Sequence, residues 1–258
     1  APVTVIARVD EEEVYRGQAK VDAAGNCDVR FPLPAEIARG EGTLALVIDD
    51  GGAVETASKT IPILLQTVDL TMYAEGGELV AGLPGRVYLE AKTPAKKPAD
   101  LQGVVVDSQG QEVANFRSEH EGRGRFGFTP KAGEKYTLKI TEPSGIKTTY
   151  PLPEVIDQGA VLSSPDLVYQ AGKPVKLSAA ATQSGKYRLT LSQKEVEQAS
   201  LEKELKAGEV AELELTPSRD AAGVLIATLW DPHGLPVAER LIYRQPARQV
   251  AVEIVPDK

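Results

Sequence analysis

The sequence predicts an all-β fold of tandem antiparallel β-sandwiches, and three observations carry that prediction. A block recurs three times, apolar residues alternate with polar ones over short runs, and Gly, Pro and Asp signals separate those runs. The block reads Val29-Arg30-Phe31-Pro32-Leu33-Pro34, a Gly turn, then Leu44-Ala45-Leu46-Val47-Ile48-Asp49-Asp50-Gly51. It returns as Arg125-Phe126-Gly127-Phe128-Thr129-Pro130, a Gly turn, and Tyr136-Thr137-Leu138-Lys139-Ile140-Thr141-Glu142-Pro143-Ser144-Gly145. The third copy is Ala211-Glu212-Leu213-Glu214-Leu215-Thr216-Pro217, a Gly turn, and Leu225-Ile226-Ala227-Thr228-Leu229-Trp230-Asp231-Pro232-His233-Gly234. Each copy reads as a strand ending in proline, a turn, a second strand, and an acidic-X-Gly turn or a variant of it. Pro34, Pro130 and Pro217 are 96 and 87 residues apart. A repeat of roughly 90 residues exceeds a solenoid unit and suits one small sandwich.

Taken in order, the alternation places strands along the whole chain. Val3, Val5, Ala7 and Val9 share one face. Val87, Leu89 and Ala91 form another such set, with Arg86, Tyr88, Glu90 and Lys92 opposite. Tyr136, Leu138 and Ile140 repeat the pattern, as do Val175, Leu177 and Ala179, and Tyr187, Leu189 and Leu191. Strict alternation of this kind is the signature of half-buried antiparallel strands. Turn signals stand at Asp22-Ala23-Ala24-Gly25, Glu75-Gly76-Gly77, Asp107-Ser108-Gln109-Gly110 and Pro143-Ser144-Gly145. Residues 34–39 are read as one helical turn. Residues 194–206 have helix-forming composition, but Leu201, Lys203 and Leu205 alternate, and the segment is read as a strand.

Proline-containing junctions at Thr60-Ile61-Pro62-Ile63 and Tyr150-Pro151-Leu152-Pro153 divide the chain into expected sandwiches at 1–64, 65–157 and 158–258. Short, stiff linkers predict a semi-rigid rod. The first sandwich has far fewer residues ahead of its anchor proline than the second, so it is expected to be truncated, with a sheet edge and part of its core exposed. Residues 249–255 read as a fresh strand. The chain therefore reads as a mature portion or an excised piece of something longer.

The 258 residues are 42% hydrophobic and 26% charged, enough for packed cores and a solvated surface. Aromatics make up 5%, with Trp230 the sole tryptophan, so the cores should be aliphatic. The net charge is −8. It divides as 6 basic and 11 acidic residues in 1–64, 11 and 13 in 65–157, and 12 and 13 in 158–258. No region is basic, which argues against nucleic acid or an anionic membrane surface as partner. A single cysteine, Cys27, forbids an intrachain disulfide. No apolar run reaches about 18 residues, so no transmembrane helix is expected. Ala1-Pro2-Val3 opens directly on a strand, with no signal-peptide pattern.

The candidate chemistry is sparse. Cys27 stands beside the strand expected at Val29, Phe31 and Leu33, with no adjacent basic residue to lower its pKa, and is read as structural or incidental. Glu119-His120-Glu121 suggests a metal patch, but neighbours on a strand point to opposite faces and cannot all converge, so a solvated turn is the better reading. His233 lies in Asp231-Pro232-His233-Gly234, a turn by composition, and no serine or cysteine motif accompanies it. Gly76-Gly77 and Gly122-Arg123-Gly124 precede no helix and serve as tight turns rather than phosphate loops. Asp10-Glu11-Glu12-Glu13 lacks the spaced ligands of a calcium loop and reads as a solvated hairpin tip. Glu239 and Arg240 interrupt the apolar run 237–243. One of the two must face inward if alternation holds, and Arg240 is expected to form an ion pair. No residue is nominated as catalytic, cofactor-binding or metal-ligating, and no cofactor is implied.

Several stretches resemble a known family. They are Tyr73-Ala74-Glu75-Gly76-Gly77-Glu78-Leu79-Val80-Ala81-Gly82-Leu83, Gly103-Val104-Val105-Val106-Asp107-Ser108-Gln109-Gly110, the run from His120 through Pro130 to Tyr136, and Ala238-Glu239-Arg240-Leu241 within the third repeat. They resemble the macroglobulin-like domains of bacterial alpha-2-macroglobulin-type surface or periplasmic proteins. The resemblance covers nearly the whole chain. It implies seven-stranded, immunoglobulin-like antiparallel sandwiches and a large exported parent that traps proteases through a bait region and a thioester. The thioester signature Cys-Gly-Glu-Gln is absent, since Cys27 is followed by Asp28-Val29, and no bait region is recognisable. The expectation is a non-enzymatic, extracytoplasmic scaffold segment that supports protease trapping. Its partners would be proteins, either proteases or neighbouring domains, and the truncated first sandwich could dimerise through its edge. The alternative is a cell-surface adhesion module, or one binding protein or carbohydrate.

Overall fold

The structure, a computed structural model, describes residues 2–22, 24–49, 51, 53–61 and 65–247. The described residues are all β, with 21 strands and no helix. Among the described residues, therefore, no helix is long and apolar enough to cross a membrane. Pro62, Ile63 and the strand expected over 249–255 lie outside the described residues.

The first four strands are β1 (Pro2–Val9), β2 (Glu12–Lys20), β3 (Gly42–Asp49) and β4 (Val54–Thr60). They form one antiparallel sheet in the order β2-β1-β3-β4. Alternation in β1 works as read: Val3, Val5, Ala7 and Val9 are at most 3% exposed. The turn between β1 and β2 is Asp10-Glu11, with φ of 51° and 73°. Two successive positive φ values mark the mirror-image turn whose twist matches that of the flanking strands. The Asp10 carboxylate then reaches across to the chain entering β3. It accepts hydrogen bonds from the Arg39 N–H at 2.9 Å and the Glu41 N–H at 3.0 Å.

That contact explains two departures from expectation. Residues 34–39 form bends, not a helical turn. The Arg39 N–H is bound to Asp10 and its carbonyl accepts from Gln66, so neither serves an intrahelical ladder. The strand expected over 29–34 is also absent. Pro32 and Pro34 carry no N–H to donate to a ladder. Half-burial still alternates through Cys27, Val29 and Phe31. Phe31 is held by stacking on Tyr15, with ring centroids 5.4 Å apart.

The middle strands are β5 (Asp69–Ala74), β6 (Leu79–Val80), β7 (Gly85–Lys92), β8 (Gln102–Val106), β9 (Glu112–His120), β10 (Arg123–Phe128), β11 (Thr137–Glu142), β12 (Thr149–Pro151) and β13 (Val155–Ile156). Seven of them make one sheet, ordered β12-β11-β8-β9-β10-β7-β5, while β6 pairs with β13. The last group is β14 (Ala160–Ser163), β15 (Val168–Tyr169), β16 (Val175–Ala181), β17 (Gly185–Gln193), β18 (Val196–Leu205), β19 (Ala211–Leu215), β20 (Gly223–Trp230) and β21 (Pro236–Arg244). It forms a three-stranded sheet, β14-β16-β19, and a five-stranded sheet, β15-β21-β20-β17-β18. Their inward side chains, among them Leu162, Leu177, Leu189, Leu213, Leu225 and Leu229, make one aliphatic core. Not every pairing is antiparallel: β6 runs parallel to β13, and β15 runs parallel to β21.

The 194–206 segment is the strand β18, as its alternation indicates. It leaves β17 through Lys194-Glu195, with φ of 48° and 65°, the same turn as Asp10-Glu11. A second device recurs three times. Asp22, Asp107 and Asp231 each accept two backbone N–H bonds on Oδ1, from the second and fourth residues onward, at 2.8–3.0 Å. In each, the aspartate N–H donates to the carbonyl of that fourth residue, and a glycine at the third donates back to the aspartate carbonyl. The sequence rule is Asp-X-X-Gly, and the carboxylate templates the loop.

The chain divides into two compact units. One comprises Ala1–Thr71, Leu89–Arg125 and Thr137–Pro151, the other Met72–Tyr88, Phe126–Tyr136 and Leu152–Lys258.

The Asp10 contact has a pH signature. Burial pushes the Asp10 carboxyl up, but backbone N–H groups of Arg39, Glu41, Ala38 and Gly40 outweigh it and hold its pKa below the ordinary value. A depressed carboxylate contributes stability above its unfolded pKa, near 3.9, and loses it as pH falls through the lower folded value. Asp10→Ala is expected to destabilise the chain by about 1–2 kcal/mol at neutral pH. In denaturant titrations the gap between variant and wild type should close as pH falls from the ordinary carboxylate range through the lower folded value.

A buried ion cluster as the candidate functional site

The most unusual chemistry of the chain is a carboxylate with almost no access to water. Glu75 follows β5, and its side chain is 1% exposed. It is met by two guanidinium groups, from Arg86 on β7 and Arg240 on β21. All three residues belong to the second compact unit. Arg240 Nη1 pairs with Glu75 Oε1, which also accepts the Ser164 N–H at 3.1 Å. Arg86 Nη1 lies 3.2 Å from Glu75 Oε2, close enough for an ion pair but not aligned as a hydrogen bond. The same nitrogen donates to the Ser164 carbonyl at 3.0 Å. Arg240 donates from Nη2 to the Tyr88 hydroxyl at 3.2 Å, and its guanidinium carbon sits 5.6 Å from the Tyr88 ring centroid.

The backbone closes the arrangement. Glu75 N–H donates to the Arg86 carbonyl, and Glu239 N–H to the Gly76 carbonyl at 3.0 Å. Gly76 has φ +84°, and a Cβ there would lie 2.9 Å from the Leu162 carbonyl oxygen. Only glycine meets both the left-handed conformation and this close approach. Ser164 Oγ lies 2.6 Å from the Tyr169 hydroxyl, which donates to the Lys176 carbonyl. The cluster thus joins residues 75–88 to 162–169 and 238–240.

Its electrostatics follow from burial. Desolvation pushes the Tyr88 hydroxyl up, but hydrogen bonding to Arg240 and Arg86 outweighs it and leaves the pKa lowered. Tyr169 is shifted up, chiefly by burial. The arrangement is suited to holding segments together. A second buried cation, Arg244, is fully enclosed in the same unit. It donates to the carbonyls of Ser218 and Ala221 at 2.7 Å and of Lys173 at 3.3 Å, and burial lowers its pKa.

Arg240 faces inward and Glu239 outward, so the ion pair expected of Arg240 is formed. Reading the sequence alone nominated neither Glu75 nor Arg244 as a site residue. Glu75 was read as part of a Glu-Gly-Gly turn and of a stretch that carries the family resemblance. The other candidates are scattered. Cys27 is a free, half-buried thiol. His120 ends β9 at 81% exposure, 3.8 Å from Glu121, and Glu119 pairs with Arg125. The His233 N–H belongs to the Asp231 loop. Among the described residues, no three His, Cys, Asp or Glu side chains group as a metal would require.

No protein-family model and no curated protein matches the sequence. In fold, the chain is similar to several solved structures. Trypsin-activated alpha-2-macroglobulin from Escherichia coli is 10% identical, with a TM-score of 0.30, and the match covers 96% of this chain and 21% of that one. Domains 5–6 of the S-layer protein SbsC are 11% identical, with a TM-score of 0.38, over 70% of this chain and 99% of that one. The BSP domain of a biofilm associated protein is 13% identical, with a TM-score of 0.35, over 90% and 46%. The chain thus spans about a fifth of the length of the macroglobulin.

Arg240→Ala would leave Glu75 buried without its closest partner and is expected to cost about 3–5 kcal/mol. Glu75→Ala and Arg240→Ala should be non-additive, with a coupling of about 1–3 kcal/mol in a double-mutant cycle measured by denaturant unfolding. Gly76→Ala should cost about 1–3 kcal/mol from backbone strain, plus the clash with Leu162.

Proposed function

We propose that this chain is a non-enzymatic scaffold segment of an exported, alpha-2-macroglobulin-like protein, built from macroglobulin-like sandwiches at 1–64, 65–157 and 158–258, and that it supports protease trapping. One observation carries the reading. The two stretches that bear the family resemblance most specifically, Glu75-Gly76-Gly77 and Ala238-Glu239-Arg240-Leu241, meet in one buried cluster. The resemblance therefore coincides with a structural lock, not with a reactive group. The segment works by positioning, and its partners are proteases or neighbouring domains. It acts outside the cytoplasm, at the cell surface or in the periplasm.

A second reading has its own support. On the outer face of the five-stranded sheet, Val168, Tyr243 and Val224 stand in register on three adjacent strands, with Leu241 beside them. They are 49%, 44%, 57% and 62% exposed. An apolar row of this kind favours an adhesion module or a protein- or carbohydrate-binding module.

The readings separate in the full-length polypeptide, mixed with a substoichiometric endoprotease and assayed on a small chromogenic substrate and a large protein substrate. Trapping predicts that activity on the large substrate alone is lost, and that Arg240→Ala weakens the loss. Undiminished activity on both substrates would overturn the trapping role.

A further inference from the structure

We propose that β4 is a homodimerisation edge, through which two copies of this chain pair antiparallel about a two-fold axis at Ala57. The strand ends its sheet, and all seven of its side chains are exposed. Among the described residues no strand covers its outer side. Its pairing with β3 runs from Thr43↔Thr60 to Asp49↔Val54 without a bulge, and the strand contains no proline. The edge therefore lacks two of the features by which sheet edges avoid further pairing.

The direction of the free backbone groups can be read from one bond. Ile61 N–H donates to the Gly42 carbonyl at 2.8 Å. Hydrogen-bonded pairs alternate along an antiparallel ladder, so Lys59, Ala57 and Glu55 also turn their N–H and C=O groups toward β3. Thr60, Ser58, Thr56 and Val54 then present theirs to the open edge. A second copy aligned about Ala57 sets Thr56 opposite Ser58 and Val54 opposite Thr60. Each of these pairs can exchange both of its backbone bonds.

The same alignment is self-complementary in charge. It sets Glu55 of one copy opposite Lys59 of the other, on both sides of the axis. These are non-hydrogen-bonded positions, where side chains approach most closely and opposite charges stabilise a sheet. Neither residue has an ion-pair partner among the described residues. Slipping the register by two residues in either direction loses both pairs, and a parallel alignment sets like charges side by side. The pairing also continues a row of small and apolar side chains, Val5, Leu46 and Ala57, across the axis, because these three are in register on one face. An unrelated strand would share the backbone bonds but not this charge pattern, so a second copy is the occupant that fits.

Sedimentation velocity of the full chain over a concentration series tests the proposal. Wild type should pass from monomer to dimer as concentration rises. Glu55→Lys and Lys59→Glu should each lose the dimer, because each sets like charges opposite one another twice. An equimolar mixture of the two variants should regain it, because both pairs are restored in the heterodimer. Both side chains are exposed, and unchanged far-UV circular dichroism would confirm that each variant folds. A wild type that stays monomeric throughout overturns the proposal. So do single variants that dimerise as wild type does, or a mixture that remains monomeric.

Discussion

A carboxylate withdrawn from water is tolerated only where cations and hydrogen-bond donors replace its hydration, and Glu75 sets that requirement for the second compact unit. Its solvation is supplied by Arg86, Arg240 and the Ser164 N–H, which come from three separate parts of the chain. None can withdraw without leaving charge stranded in a low-dielectric site. The constraint spreads outward. Gly76 must be glycine because the backbone has to approach Leu162, and Tyr88 must present a ring and a hydroxyl because Arg240 needs a second partner. A hydrophobic contact of the same area would favour association but would tolerate sliding. Ion pairs and hydrogen bonds are directional, so the cluster constrains how its three segments align.

Elsewhere the fold is organised by aspartates acting on backbone N–H groups over short range. Asp10 gathers the segment that enters β3, and Asp22, Asp107 and Asp231 each template a loop. The three loop carboxylates are exposed and each contributes little to stability, whereas the Asp10 bonds are partly buried and contribute more. Their effect is on geometry: they determine where a strand ends and in which direction the chain returns. The chain thus uses acidic residues in two regimes, solvated ones that shape loops and one buried one that joins distant strands.

The alternation that revealed the strands is a local signal, and it succeeded where one face is buried. Val3 to Val9, Val87 to Ala91 and Tyr187 to Leu191 all place their apolar sets inward. It failed over residues 29–34, where apolar residues alternate but prolines remove the donors a ladder needs. Arg240 was legible because a charge inside an apolar run must find a partner. Glu75 was not, because apart from Arg86 its partners Ser164 and Arg240 lie about 90 and 165 positions away and no local pattern reports them. Arg244 ends the same strand as Arg240, but its acceptors are backbone carbonyls, which leave no trace in side-chain chemistry.

The Glu75 cluster is expected to open only with the whole unit. Native-state hydrogen exchange tests it most directly, through the amides of Ser164 and Glu239, which donate to Glu75 and to Gly76. The account predicts that both exchange with the same opening free energy as core amides of β17 and β20, since breaking the cluster strands its charges. If both amides exchange by a local opening that leaves β17 and β20 protected, the cluster is a surface latch and not the lock described above.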